Sequence, residues 1–149
     1  NPANPRYQSV GVFSLELARL YGYLYQRTEK RYTILHALDG YDELSLTGDF
    51  KTISNSGEQL WTIEQLGLSL VKSKSIRGGQ TIEEAARIFH NVLNGEGTPE
   101  QQQVVLANAA IAIHTIHPEK SFGECLLEAE VSLLDRKALR CFNKLIETA

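Results

Sequence analysis

Three acidic residues, Asp39, Asp42 and Glu43, lie within five positions of one another, directly after a short and mostly apolar segment at residues 32–37. This segment predicts a buried strand, and the helix expected before it favours a parallel one. In open α/β sheets, ligands bind beyond the carboxyl ends of strands. Carboxylates this close repel one another, and a hard divalent cation such as Mg²⁺ relieves that repulsion. The pattern fits either a Mg²⁺ site or a solvated turn in which Asp39 and Gly40 only reverse the chain.

Other residues could also take part in chemistry, but each has a plainer explanation. Arg77-Gly78-Gly79 precedes a helix and could offer backbone amides to a phosphate, yet it lacks the longer glycine-rich fingerprints, so an ordinary connection is favoured. His114 and His117 could form a metal pair, but with no third ligand nearby, surface or capping roles are favoured. We expect His36 to be a core histidine or to support a neighbouring site. Asn108, in an apolar helix, should bond to nearby backbone.

The elements that must position these residues are strands and helices intermixed along the chain, which indicates the α/β class. Strands are predicted at residues 50–54 and 60–63, around a turn at Asn55-Ser56-Gly57. Residues 104–113 are apolar nearly all round and predict a central, buried helix. Capping residues mark the helix starts, namely Ser14, Thr81 with Glu84, Thr98 with Gln101, Ser121 with Glu124, and Asp135 for the last helix.

Length and composition exclude several classes of protein. The chain has 149 residues, 42% hydrophobic and 22% charged, which is typical of one globular domain. A net charge of −3 disfavours a nucleic-acid binder that relies on a general basic field. No apolar run approaches the roughly 20 residues of a membrane span. Two cysteines, Cys125 and Cys141, favour a reducing compartment and hence the cytoplasm.

A resemblance to a known family is carried by segments spread over nearly the whole chain, which in order are Asn1-Pro2-Ala3, Gln8, Gly11-Val12, His36, Asp39-Gly40-Tyr41-Asp42-Glu43-Leu44-Ser45, Gly67-Leu68, Gly78-Gly79, Val92-Leu93-Asn94-Gly95 and Leu106-Ala107-Asn108-Ala109-Ala110. Together these segments resemble the C-terminal half of anthranilate phosphoribosyltransferase. The most specific of them is the Asp-Gly-hydrophobic-Asp-Glu segment, whereas the others mostly build the scaffold.

The resemblance implies both a fold and a reaction. The fold would be an α/β domain with a central mixed, largely parallel sheet flanked by helices, shared with pyrimidine nucleoside phosphorylases. The reaction would move a phosphoribosyl group from phosphoribosyl pyrophosphate (PRPP) to the amine of anthranilate and release pyrophosphate, a step of tryptophan biosynthesis. By resemblance, Asp42 and Glu43 bind the Mg²⁺ that accompanies PRPP and so contribute to substrate binding, while Asp39 shapes the turn.

The family's other functional parts have no counterpart in this sequence. These parts are a small helical N-terminal domain, a Gly-Thr-Gly-Gly-Asp phosphate loop, a Lys-His-Gly-Asn segment and an arginine that contacts anthranilate. The chain also contains no methionine. We therefore expect residues 1–149 to be the C-terminal portion of a longer enzyme that forms a homodimer. Alone, the chain should be inactive, because PRPP and anthranilate bind largely through the missing half.

Three departures from the family's pattern keep other functions open. Gln80 stands where the family often has Asp, Ala85 follows Glu84 where Asn is usual, and Tyr41 replaces a common Leu. One alternative is a related phosphoribosyltransferase or a pyrimidine phosphorylase-like enzyme with another acceptor. A second alternative is a non-enzymatic paralogue that binds nucleic acid, although the acidic charge balance argues against it.

Overall fold

The computed structural model describes residues 3–148. Asn1 and Pro2, which open the Asn-Pro-Ala segment of the resemblance, lie outside the described residues. Residues 3–5 belong to no helix or strand. From there the chain enters the first strand at Tyr7.

One four-stranded sheet is formed by the described residues, and its strands are β1 (Tyr7–Gly11), β2 (Arg31–Ala37), β3 (Phe50–Ser54) and β4 (Gly57–Trp61). Their spatial order is β1-β2-β3-β4; β1 and β2 are parallel, and the other two pairings are antiparallel. The α/β class and the mixed sheet are confirmed. The parallel share is smaller than the resemblance implies, because a tight hairpin makes β3 and β4 antiparallel.

Five α-helices occur in the described residues, and they are α1 (Leu15–Tyr25), α2 (Ile82–Leu93), α3 (Pro99–Ile116), α4 (Phe122–Leu134) and α5 (Lys137–Glu147). Two short 3₁₀ turns, at Glu64–Leu66 and Ser73–Ile76, lie between the sheet and α2. None of these helices combines the length and the apolar character that crossing a bilayer would need.

Helix α1 is the crossover that joins the two parallel strands. It begins where the sequence predicts, because Ser14 Oγ accepts a hydrogen bond of 3.2 Å from Leu17 N. A parallel pair needs such a connection, whereas an antiparallel pair can be joined by a short turn. The unit β1-α1-β2 thereby brings the carboxyl ends of both strands to one edge of the sheet.

The strand β2 is buried on both faces, as a strand between two helical layers must be. Ile34 packs with Ala18 of α1, whereas Leu35, the next residue, packs with Ala107 and Ile111 of α3. Successive side chains of a strand point to opposite faces, so this alternation places α1 and α3 on opposite sides of the sheet. The prediction of a buried strand at residues 32–37 is confirmed.

Helix α3 contacts β1, β2 and α4, which makes it the central helix of the described residues. Its sheet-facing side chains Ala107, Ala110 and Ile111 are buried, as predicted. The prediction of burial all round is wrong at Val105, which is 43% exposed and lines a groove beside α2.

The hairpin of β3 and β4 is tighter than the sequence indicates. Ser54 pairs directly with Gly57, so the turn has only the two residues Asn55 and Ser56. Pairing therefore begins at Gly57, and the predicted strand at residues 60–63 is shifted. Ile63 leaves the strand, precedes a 3₁₀ turn and is buried in the core.

The helix starts of α3 and α4 are capping boxes, as predicted at Thr98 and Ser121. The Glu124 carboxylate accepts hydrogen bonds from the Ser121 backbone N–H and hydroxyl at 2.8 and 2.7 Å. The hydroxyl bond and then the backbone bond hold the pKa of the Glu124 carboxyl below its ordinary value. These contacts are local in sequence, which is why residue type and spacing alone predict them.

The prediction that Asp135 begins the last helix is wrong. Asp135 caps the end of α4, and α5 starts at Lys137 after Arg136 turns the chain with φ of 55°. The carboxylate of Asp135 pairs with Lys137 Nζ at 3.2 Å rather than accepting from the first turn of α5. An N-capping residue needs extended backbone, and the left-handed turn at Arg136 removes that geometry.

Candidate functional site

The acidic loop, which we define as residues 38–49 between β2 and β3, lies at the carboxyl edge of β2. Asp42 and Glu43 are both exposed, and in the described residues neither carboxylate makes a hydrogen bond or an ion pair. Within residues 3–148, no three His, Cys, Asp or Glu side chains come close enough to hold a metal ion by themselves. Residues 3–148 therefore offer at most two carboxylates here for a metal ion.

Asp39 closes the acidic loop rather than joining the pair. Its carboxylate accepts a hydrogen bond from Thr47 Oγ1, and the hydroxyls of Thr47 and Ser45 lie 2.8 Å apart. Gly40 has φ of 98°, a conformation suited to glycine, and its N–H donates to Ala37 O at 3.0 Å. The expectation that Asp39 shapes the turn agrees with these contacts.

After Glu43, the acidic loop is anchored in the core by the side chains of Leu44 and Leu46, which are both completely buried. Leu46 adopts φ of 58°, a left-handed conformation that costs a non-glycine residue on the order of 1–3 kcal/mol. Burial of its side chain and a 2.8 Å hydrogen bond from Val71 N to Leu46 O hold it there. The two exposed acidic residues are thus followed directly in sequence by a segment that is fixed in the core.

Asn108 of α3 binds the backbone of the acidic loop at two points. Its Oδ1 accepts from Leu44 N at 3.0 Å, and its Nδ2 donates to Leu44 O at 2.8 Å. The same Nδ2 also donates to Val104 O, one turn earlier in α3, at 2.9 Å. The prediction that this amide bonds to neighbouring backbone is confirmed, and its partner is the residue directly after Glu43.

Gly11, the last residue of β1, lies against the backbone of the acidic loop. A Cβ added to Gly11 would lie 1.6 Å from Asp42 O and 2.7 Å from Asp42 C, so only glycine fits. Sequence reasoning assigned Gly11 no structural role, because β1 itself was not predicted. A glycine three residues before the Ser14 helix cap was the signal that could have marked a close backbone approach.

His36 is a core histidine, which confirms its plainer interpretation. Its ring is buried, and Nδ1 lies 2.9 Å from Val12 O. A carbonyl oxygen can only accept a hydrogen bond, so Nδ1 is the donor in this contact. His36 therefore ties β2 to the start of the α1 crossover, next to Gly11.

His114 and His117 lie in different surroundings. His117 Nδ1 lies 3.2 Å from Glu119 Oε1, at the surface. His114 Nδ1 is buried with no hydrogen-bond partner in the described residues and lines a cavity of about 190 Å³. Arg31 lines the same cavity at the amino end of β2, opposite the acidic loop. The surface role of His117 is confirmed.

The Gly78-Gly79 loop leads into the start of α2. Thr81 Oγ1 accepts from Glu84 N at 3.2 Å, which is half of the predicted capping box. The Glu84 carboxylate accepts from Gln80 N at 2.7 Å, so this amide is already occupied. Arg77 and Gly78 border an apolar groove of about 300 Å³, which favours an ordinary connection.

The fold and the site together describe one class of protein. It is an α/β domain in which two exposed acidic residues, free of other partners in the described residues, follow the end of a buried strand. Residues 1–139 match the model of the glycosyl transferase family, a/b domain, and the chain belongs to that family.

Within this family, the chain is similar to proteins named anthranilate phosphoribosyltransferase. The chain is 51% identical over 148 residues to the anthranilate phosphoribosyltransferase of Christiangramia forsetii, covering 97% of this chain and 44% of that protein. It is 44% identical over 147 residues to the anthranilate phosphoribosyltransferase of Bacteroides thetaiotaomicron, covering 99% and 44%. The chain thus spans less than half the length of these relatives.

Solved structures share the fold. The anthranilate phosphoribosyltransferase from Saccharomyces cerevisiae in complex with PRPP and Mg superposes with a TM-score of 0.82 at 21% identity, over 93% of this chain and 40% of that one. The anthranilate phosphoribosyltransferase from Thermus thermophilus gives a TM-score of 0.78 at 24% identity, over 90% and 40%. At these identities the comparison concerns the fold alone, and it agrees with the mixed α/β sheet.

Proposed function

We propose that this chain is the C-terminal part of the α/β domain of an anthranilate phosphoribosyltransferase. The enzyme would be a glycosyltransferase of tryptophan biosynthesis that moves phosphoribosyl from PRPP to anthranilate and releases pyrophosphate. The observation that carries the proposal is 44–51% identity, over 97–99% of the chain, to relatives of that name. A fold alone would not support this activity, because one fold serves many reactions.

We further propose that Asp42 and Glu43 hold Mg²⁺ and, through it, PRPP. The donor set fits, because two exposed and unpaired carboxylates are what Mg²⁺ typically takes from a protein when phosphates and water complete its shell. A bound Mg²⁺ would offset the negative charge that grows on the departing pyrophosphate.

The charge of the acidic pair makes a bridging cation necessary. Asp42 and Glu43 carry two negative charges with no basic partner in the described residues, and PRPP is itself a polyanion. Direct contact between these carboxylates and the phosphates of PRPP would be repulsive. The role of these side chains is therefore to place the cation, and with it the diphosphate, at the carboxyl edge of β2.

The remaining parts of the proposal follow the resemblance. The groups that contact the ribose, the phosphates and anthranilate would lie in the part of the relatives that this chain does not match. The enzyme would act in the cytoplasm as a homodimer, without binding nucleic acid or a membrane.

The departures at Gln80 and Ala85 lie on either side of the first residues of α2. The Glu84 carboxylate bonds to Gln80 N and helps begin α2. These two residues thus interact with each other at a helix start. Because the relatives that the chain matches at 44–51% identity are anthranilate phosphoribosyltransferases, we advance no pyrimidine phosphorylase-like function.

A chimera tests the proposed function. Residues 1–149 should replace the matching segment of the C. forsetii protein with retention of Mg²⁺-dependent transfer from PRPP to anthranilate, measured by loss of anthranilate fluorescence. The matched control carries the corresponding segment of the B. thetaiotaomicron relative, which shows that such a swap is tolerated. The isolated chain should show no turnover, because it lacks most of the substrate pocket.

Two results would contradict this account. One is a folded chimera that cleaves a nucleoside with phosphate but does not consume anthranilate. The other is an isolated chain whose turnover equals that of the chimera.

A further inference from the structure

We propose that Asn108 is a positioning residue for the acidic pair: its amide fixes the Leu44 backbone and so sets where Asp42 and Glu43 present their carboxylates. This inference rests on the proposed function, because it assigns Asn108 a part in holding the same cation.

Among residues 3–148, Asn108 differs from all other residues in its contact with the acidic loop. No other side chain from outside residues 38–49 makes a hydrogen bond to the backbone of the acidic loop. Asn108 makes two such bonds, and they hold both the N–H and the C=O of one residue, Leu44. Two bonds to one residue fix its orientation as well as its distance, and Glu43 is joined to Leu44 directly.

The Asn108 side chain is itself held on a rigid support. Its Nδ2 donates to Val104 O within α3, and the neighbouring residue Ala107 is completely buried against the sheet. A partly buried amide is costly unless its polar atoms are bonded, and here both are. The position of the loop relative to α3 is thereby specified by polar contacts, whereas Leu44 packing alone would be less directional.

Gly11 supplies a second contact to the acidic loop. A Cβ at residue 11 would lie 1.6 Å from the carbonyl oxygen of Asp42, so the loop packs against the end of β1 as closely as a glycine allows. The backbone beside the acidic pair is thus held at two points, by β1 at Asp42 and by Asn108 at Leu44. The side chains of the pair remain free of other partners, as a pre-formed cation site requires.

The test compares Asn108→Ala with Asn94→Ala in the chimera. Asn94 is a matched control, because its Nδ2 makes the same kind of bond, to His90 O one turn earlier at 2.9 Å, but it has no contact with the acidic loop. The probe is Mn²⁺ in the presence of PRPP, and its affinity is measured by electron paramagnetic resonance, alongside thermal unfolding. We expect Asn108→Ala to weaken Mn²⁺ binding about 10–100-fold, as loss of a residue that orients metal ligands typically does, and Asn94→Ala to leave it unchanged.

Asn108→Ser keeps the test decisive if Asn108→Ala does not fold. A serine hydroxyl can still bond to its own helix but is too short to reach Leu44. It should also weaken Mn²⁺ binding in a folded protein. Unchanged Mn²⁺ affinity in a folded Asn108 variant would overturn the proposal, even if the melting temperature falls.

A third variant separates the two proposals. If the Asp42→Asn/Glu43→Gln protein binds Mn²⁺ normally, the proposed metal role of the acidic pair fails and the positioning role fails with it, whereas the proposed transferase activity is judged separately by the turnover of the chimera. If that protein loses Mn²⁺ while the Asn108 variants retain it, only the positioning role is wrong.

Discussion

Changing Asp42 to Asn and Glu43 to Gln together in the chimera should lower kcat/KM for PRPP by about 100-fold or more. The substitutions remove the charge that would hold Mg²⁺ while they keep the size of both side chains. Both residues are exposed and unpaired in the described structure, so stability should change by no more than about 0.5 kcal/mol. The measurement is steady-state kinetics over a range of Mg²⁺ concentrations, with unfolding followed in parallel.

Glu130→Gln is the matched control for this experiment. Glu130 is exposed on α4 with no ion pair in the described residues, so it tests the loss of a surface carboxylate away from the acidic loop. We expect its kinetics and its Mg²⁺ dependence to equal those of the unaltered chimera. If the double variant behaves like Glu130→Gln, Asp42 and Glu43 do not take part in catalysis.

Gly11→Ala should have an effect of similar size on activity and, in addition, lower stability. The new Cβ would start 1.6 Å from Asp42 O, so the acidic loop or β1 must move by roughly 1–2 Å to reach ordinary contact. A shift of about 1 Å at a positioning element can cost about 100-fold in rate. Overpacking of this kind typically lowers the free energy of unfolding by about 1–3 kcal/mol. Kinetics and urea denaturation of the chimera measure the two effects.

Gly123→Ala is the control for Gly11→Ala. Gly123 lies in the first turn of α4 with nothing within 4 Å of an added Cβ, so the substitution should leave activity unchanged and stabilise the protein by about 0.4–1 kcal/mol. A Gly11→Ala protein with normal kinetics and normal stability would show that the close approach to Asp42 is not needed.

Local contacts explain which parts of the fold the sequence predicts correctly. The caps at Ser14, Thr98 and Ser121 each join residues three positions apart, so residue type and spacing are sufficient to predict them. The end of α4 shows the limit of such reasoning. Asp135 is a good capping residue by type, but the left-handed turn at Arg136 decides where α5 begins.

Contacts that are distant in sequence explain what could not be predicted. Strand β1 is a strand chiefly because it pairs with β2, and Val10 is the only aliphatic residue among its five. The close approach of Gly11 to Asp42 and the bonds from Asn108 to Leu44 join residues 31 and 64 positions apart. The acidic pair and the backbone bonding of Asn108 were predicted from the sequence, whereas Leu44 as the partner of Asn108 and the close approach of Gly11 were not.

The most direct test of the account is to locate the cation. Crystals of the chimera grown with PRPP and Mn²⁺ in place of Mg²⁺ should give an anomalous scattering peak at the acidic loop. The account predicts carboxylate oxygens of Asp42 and Glu43 at direct coordination distance, about 2.1 Å, with phosphate oxygens or water completing the shell. A PRPP-bound cation held by other residues, with both carboxylates turned to solvent, would contradict it.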